Sequence, residues 1–288
     1  MKSVPVSLKE GSLQGVVNAD YHEDRFLSFL SDLPEAIKEN RHPLLDERED
    51  RLYLSIEATY GGSKKPLFVK VDDFTRRVRL KKWFRNFFVP SRARKSWRAG
   101  EILIRHGLPT PMPIAFLETK RWGFLLRSYL LVEQLPAAEA VHRRYQRLYR
   151  QSADAGLVKE KGVLLEALAA ALATLHQNGV FYGDLKASNV LAYPTQGGMG
   201  LAFVDLESVR ISRSVSLSRR VEDLGSLLCS FLGIVSRRDA FRFIKIYMAA
   251  SPTLSADRKE FIGKINRFAI QRKGGAQPPP EGRGSGSV

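Results

Sequence analysis

The chain of 288 residues contains one cysteine, which excludes an intrachain disulfide and a cysteine-based zinc site. That residue, Cys229, stands in the apolar run LGSLLCSFLGIV and reads as a small buried side chain. No segment supplies the roughly 18 to 20 uninterrupted apolar residues of a bilayer span, and the opening MKSVPVSLKEG lacks the apolar core of a signal peptide. The expectation is a cytoplasmic protein whose membrane contacts are peripheral. The five histidines have neither metal-ligand spacing nor a neighbouring nucleophile, and they receive no role.

Carboxylates are also scarce. Lys and Arg total 46 against 30 Asp and Glu, a formal charge of +16, so the potential attracts anions: nucleic acid, an acidic membrane or a phosphorylated substrate. The imbalance is sharpest between Arg76 and Arg98, RRVRLKKWFRNFFVPSRARKSWR, with ten basic residues, five aromatics and no carboxylate. At 100° per residue, Leu80, Trp83, Phe84, Phe87 and Phe88 share one face and the cations fall largely on the other. This predicts an amphipathic basic helix that either lies on an anionic membrane or packs on the protein.

What is present is enough for a core. With 44% hydrophobic residues the chain can form one large domain or two lobes. Residues 1–50 carry no recognisable chemistry and read as an extension. From Arg51, the strands RLYLSIEAT and LFVKV flank the turn YGGSKKP, a hairpin signal, and Lys70 lies in the second strand. Pro90 and Ser91 start a helix that Gly107 ends. RWGFLLRSYLLVEQL supplies further strands. From Pro136 the chain is mainly helical, with AEAVHRRYQRLYRQ, then KEKGVLLEALAAALATLHQNG, and two helical stretches between about Arg220 and Arg272. Two short apolar strands interrupt it, VFYGDLKASNVLAYP and LAFVDLESVR. The Gly, Pro and Ser tail from 273 to 288 cannot bury enough surface to fold.

The two interrupting segments carry chemistry. Asp184 and Asn189 stand five apart in GDLKASN, and Asp205 follows sixteen residues later behind the strand LAFV. A magnesium ion takes hard oxygen ligands together with substrate phosphates, so Asn189 and Asp205 could clamp one. Asp184, off the metal, could deprotonate an attacking hydroxyl. Lys186 points the way Asp184 does, because an extended chain alternates with period two, and its cation would balance a transferring phosphoryl group.

These motifs resemble the protein-kinase-like fold, with GDLKASN as its catalytic loop and VDLES in place of DFG. Within it, FYGDLKASNVL, FVDLESVR and SRARKSWRAGEILIRHGLPTPMPIAF are similar to the bacterial lipopolysaccharide kinase family, which phosphorylates inner-core heptose or 3-deoxy-manno-octulosonic acid. The resemblance covers about residues 51 to 235. It implies an α+β, two-lobed architecture: a β-rich N-lobe with one main helix over 51–135 and a mostly helical C-lobe over 136–272. It further implies ATP and Mg2+, with Lys70 on the α and β phosphates, Asp184 as base, Lys186 on the γ-phosphate, Asn189 and Asp205 as metal ligands, and the adenine near Val132, Glu133, Gln134 and Leu135.

The chain departs from the kinase pattern in three places. Tyr182 replaces the histidine that opens the catalytic loop. No glycine-rich loop precedes Lys70, where HPLLDEREDRLYLS has four acids and no glycine. For the carboxylate that pairs with Lys70, Glu101 is the only candidate between Asp73 and Glu118, its other reading being an exposed helix residue paired with Arg98 or Arg105.

Only 18 residues separate Asp205 from Asp223 and no A-P-E motif appears, too little chain for a peptide platform, so a glycolipid or small-molecule acceptor is expected. Arg143, Arg144, Arg147 and Arg150 share much of one helix face, to hold acid sugars or simply to be solvated. The expected function is phosphorylation of a lipopolysaccharide core sugar at the cytoplasmic face of the inner membrane. The rival readings are another kinase-like phosphotransferase, acting on a small molecule or a protein, and an inactive kinase-fold scaffold. A nucleic-acid binder explains the charge but leaves Lys70, Asp184, Asn189 and Asp205 without purpose.

Overall fold

The computed structural model describes residues 5–60, 62–75, 89–150, 155–251, 254 and 257–274. It divides into two compact units, Met1–Ala138 with Ala202–Ser208, and Glu139–Leu201 with Val209–Val288. The basic amphipathic stretch expected over 76–88 lies outside the described residues, as does the tail beyond Gly274.

The first unit is built on an antiparallel sheet of seven strands. In chain order these are β1 (Val6–Glu10), β2 (Leu13–Val17), β3 (Leu44–Arg48), β4 (Arg51–Tyr60), β5 (Ser63–Asp73), β6 (Pro113–Arg121) and β7 (Phe124–Glu133), arranged β1-β2-β6-β7-β5-β4-β3. The expected hairpin is β4–β5: Tyr60 faces Ser63, and Gly62 at φ +70° supplies the left-handed turn geometry that glycine adopts without penalty. Along β4, Leu52, Leu54, Ile56, Ala58 and Tyr60 alternate into the core, the period of a half-buried strand.

Residues 5–50 are not an extension. β1 and β2 join the sheet beside β6, β3 pairs with β4, and helix α1 (Asp24–Lys38) lays Phe26, Leu30, Leu33 and Ile37 at helical spacing into the core made by β4, β5 and β7. The correction has a simple cause. A strand such as VSLKE buries almost nothing of its own and is stabilised by pairing across the chain, which local pattern does not reveal. The boundary between the units also falls three residues later than expected, after Ala138, and the Asp205 segment belongs to the first unit.

Helix α2 (Arg92–Arg105) begins and ends as expected. Ser91 caps it, its Oγ accepting from Arg94 N at 3.1 Å, and Gly107 follows it at φ +68°. Its inner face combines the small residues Ala93, Ser96, Ala99 and Gly100 with Trp97 and Leu103. A Cβ on Gly100 would come within 3.3 Å of Pro113 Cγ, so small residues let the helix approach closely.

The second unit is helical: α3 (Val141–Arg150), α4 (Ala155–Gln177), α5 (Leu217–Phe231), α6 (Arg237–Ala249) and α7 (Arg258–Lys273), with short strands β8 (Glu139–Ala140), β9 (Val180–Phe181), β10 (Val190–Thr195), β11 (Gly198–Phe203) and β12 (Arg210–Ile211). Three helices, not two, occupy the region after Arg210. Gly233 at φ +93° and the Ser236 cap divide the first pair, and the Asp257 cap starts the third. α6 packs along α4, and α7 along α5.

If α1 is structural, Phe26→Ala removes a fully buried ring in edge contact with Tyr60 and is expected to cost about 3–5 kcal/mol. A denaturant melt measures this. Leu45→Ala on the exposed strand β3 is expected to stay within about 0.5 kcal/mol.

Candidate active site

In the first unit, strand β5 alternates Lys70 and Asp72 onto one face. The Lys70 side chain is 9% exposed, and its Nζ lies 2.5 Å from Asp205 Oδ1 and 3.9 Å from Glu207 Oε2. Asp205 is brought there by the end of β11: Phe203 N donates to Pro109 O at 2.9 Å, and Thr110 Oγ1 donates to Phe203 O at 2.8 Å. Asp205 itself sits at φ +61°, the left-handed region that short polar side chains tolerate better than most.

Glu207 extends this pair into a network. Arg51 Nη2 donates to both Glu207 oxygens at 2.8 Å, and Arg51 Nε donates to Asp72 at 3.0 Å. Arg92, from the first turn of α2, reaches Asp72 at 3.2 Å and Glu207 at 3.7 Å, and Ser128 donates to the other Asp72 oxygen at 3.2 Å. Burial works to lower the Arg51 guanidinium, but the Glu207 hydrogen bond and the Asp72 charge hold it above its ordinary value.

Glu101 does not take the expected place. It forms an ion pair at 3.6 Å with Arg105 on its own helix, and among the described residues the carboxylates that meet Lys70 are Asp205 and Glu207. Elimination along the sequence considered only acids between Asp73 and Glu118. Glu207, two residues beyond Asp205, was the signal that went unread. Of the expected adenine contacts, Glu133 ends β7 with its N–H bonded to Met112 O at 3.0 Å, and Leu135 is half-buried just beyond it.

Asp184, Lys186 and Asn189 lie together in the second unit. Lys186 Nζ is 2.7 Å from Asp184 Oδ2, and Asn189 Nδ2 donates to the Asp184 carbonyl at 3.1 Å. That bond turns the Asn189 amide oxygen away from the Asp184 carbonyl. The Asn189 amide oxygen is a hard donor of the kind that suits a magnesium ion, and so, in the first unit, is the Asp205 carboxylate.

The loop is held by a residue to which the sequence analysis gave no role. Asp223 of α5, wholly buried, accepts from Tyr182 N at 2.8 Å and from Gly183 N at 2.9 Å. Gly183 stands at φ +81°, which explains glycine before the candidate base. Tyr182, in the place of the usual histidine, is buried, and its hydroxyl donates to Asn189 O at 3.4 Å.

An imidazole is nevertheless present, from the end of α4. His176 Nε2 is 3.1 Å from Asp223 Oδ2 and Nδ1 is 2.7 Å from Tyr247 Oη, while Arg220 donates to the same hydroxyl at 3.0 Å. With the Arg220 proton accepted, Tyr247 donates to Nδ1, and Nε2–H donates to Asp223: a neutral tautomer. Burial pushes His176 below its ordinary value, against the pull of Asp223. His176 therefore has a positioning role that the sequence reading denied to every histidine.

Comparisons with known proteins identify the family and the fold. The model of the lipopolysaccharide kinase (Kdo/WaaP) family matches residues 37–247. Among solved structures, WaaP in complex with acyl carrier protein superposes with a TM-score of 0.62 at 22% identity, covering 86% of this chain and 97% of that one. The Toxoplasma gondii rhoptry antigen kinase domain matches at 0.46 and 14% identity over 79% and 81% of the two chains. The Mycobacterium tuberculosis PknI kinase domain matches at 0.42 and 15% over 78% and 94%. No curated protein sequence matches the chain. The fold is protein-kinase-like.

Two outcomes test these assignments. Glu207→Gln removes the charge that engages a largely buried Arg51 and should cost about 1–3 kcal/mol, whereas Glu101→Gln should leave the melting midpoint nearly unchanged. For His176, the unfolded chain takes up a proton near pH 6.5 while the native imidazole resists it. Its contribution is therefore full above about pH 6.5 and is lost as pH falls through the lower native value. The melting midpoint should drop between pH 7 and 5, and His176→Gln, which donates to Asp223 without titrating, should flatten that drop.

Proposed function

The chain belongs to the lipopolysaccharide kinase (Kdo/WaaP) family, and from that premise we propose that it transfers the γ-phosphate of ATP to a sugar hydroxyl of the lipopolysaccharide inner core. Membership makes it a phosphotransferase. The observation that carries the finer reading is the loop in which Asp184, its backbone fixed by Asp223 through the neighbouring amides, stands beside Lys186 and Asn189.

Each residue has a task in this reading. Asp184 orients the acceptor hydroxyl and takes its proton as the hydroxyl oxygen attacks phosphorus. Lys186 balances negative charge on the transferring group. Lys70 binds the α and β phosphates, Glu133 and Leu135 border the adenine, and Asn189 and Asp205 would hold Mg2+, which when bound neutralises phosphate charge. Glu101 has no part in it.

The acceptor chemistry is suggested by α3. Arg143, Gln146, Arg147 and Arg150 line one recess of about 300 Å³. Arg147 is paired with Glu139 at 3.0 Å and Arg144 with Glu160 at 2.6 Å, so Arg143 and Arg150, both exposed, are the side chains best placed for the acid or phosphate groups of core sugars. No helix among the described residues is long and apolar enough to cross a membrane. The reading puts the enzyme peripherally at the cytoplasmic face of the inner membrane, where its +16 charge favours anionic lipid.

Labelled ATP offered with core-deficient lipopolysaccharide, free core sugars and a generic protein decides the acceptor. Label is expected in the glycolipid, reduced by about 10²–10⁴-fold in Asp184→Asn. Label in the protein alone would overturn the glycolipid reading.

A further inference from the structure

Both carboxylate oxygens of the candidate base are occupied by cations. Lys186 meets Oδ2 at 2.7 Å, and Arg272 Nη2 donates to Oδ1 at 2.8 Å. Lys186 belongs to the loop itself. Arg272 is contributed by the last turn of α7, 88 residues further along the chain.

The helix that delivers it is held in register. The Phe268 ring of α7 lies over Gly225 of α5, where an added Cβ would come within 2.6 Å of Phe268 Cδ1, while Phe261, Ile265 and Ala269 bury the same helix. Arg272 is one turn beyond Phe268, on the same side of the helix. Two residues before Gly225 on α5, Asp223 holds the N–H groups of Tyr182 and Gly183. A single helix thus sets both the loop that carries Asp184 and the helix that carries Arg272.

The charges at this point do not cancel. Two cations face one carboxylate, and the Arg272 and Asp184 side chains are 32% and 33% exposed, so an anion can reach them. With Lys186 on one oxygen and Arg272 on the other, an acceptor hydroxyl that approaches the carboxylate has to share or displace one of these partners. The planar guanidinium matches phosphoryl oxygens as well as it matches a carboxylate.

We propose that Arg272 is a catalytic arginine supplied in cis: it rests on Asp184 Oδ1 and moves to the transferring phosphoryl group, which frees that oxygen for the acceptor hydroxyl. This rests on the phosphotransfer reading. In the step, the acceptor oxygen forms its bond to the γ-phosphorus as the bond from that phosphorus to the β–γ bridging oxygen breaks. ADP leaves with the electron pair, and the hydroxyl proton passes to Asp184. Arg272 and Lys186 meet the charge on the equatorial phosphoryl oxygens. Substrate binding and release of the base become one exchange.

The test measures steady-state transfer from ATP to the acceptor for the wild-type chain, Arg272→Ala, Arg272→Lys, Asp184→Asn and Arg267→Ala, the last an exposed arginine on the same helix. Arg272→Ala is expected to lower kcat about 10²–10³-fold with little change in acceptor KM, to keep its melting midpoint, and to regain activity when guanidinium ion is added at low concentration. Arg272→Lys should recover part of kcat and Arg267→Ala all of it. If Arg272→Ala fails to fold, the folded Arg272→Lys must still show the fall in kcat. Wild-type or raised kcat in the Arg272 variants, with Asp184→Asn inactive, overturns this inference alone. Full activity in Asp184→Asn, or no transfer by the wild-type chain, overturns the phosphotransfer reading and this inference with it.

Discussion

A buried carboxylate must be satisfied from every side or it costs several kcal/mol, and Asp223 is where the second unit meets that demand. Its partners are two consecutive backbone amides of the loop and the imidazole of His176. They come from different elements, so satisfying one side chain fixes the last turn of α4, the start of the GDLKASN loop and α5 relative to one another. Tyr247 and Arg220 carry the same network to α6. Asp184 is thereby placed through its backbone, which leaves its side chain to meet Lys186 and Arg272.

The first unit secures its half of the chemistry by other means. Lys70 is held by charge: Arg51 and Arg92 share Glu207 and Asp72, and Lys70 shares Asp205 and, at longer range, Glu207. The carboxylate expected from α2, Glu101, pairs instead with Arg105, and Lys70 is met by Asp205 and, farther off, Glu207. α2 still contributes, but through Arg92 and through the small residues that let it approach Pro113 and Leu206. The left-handed backbone at Asp205 costs roughly 1–2 kcal/mol, offset by anchors on both sides of it.

The sequence made legible whatever is decided locally. The β4–β5 hairpin, the Ser91 cap, the Gly107 stop and the GDLKASN loop all rest on residues within a few positions of one another. What it hid depends on contacts far along the chain. β1 and β2 are short strands: β1 pairs with β2, and β2 with β6, about a hundred residues away. Glu207 reaches Arg51 across 156 positions and Arg272 reaches Asp184 across 88. Asp223 was the more readable case: an acid among Val221, Leu224 and Leu227 on an apolar helix face needs a buried partner. His176, at the end of the apolar run ALATLHQNG, posed the matching question from the other side.

The two halves differ in net charge, and that difference bears on the missing glycine-rich loop. Around Lys70, three cations, with Arg51 and Arg92, face four carboxylates, Asp50, Asp72, Asp205 and Glu207. The turn between β3 and β4 adds Glu49 rather than glycine amides. Among the described residues, carboxylates therefore outnumber cations around Lys70. Around Asp184, two cations face one carboxylate, and α3 adds exposed arginines in the same unit. Attraction for a lone anion is concentrated in the second unit, the one that carries the candidate base.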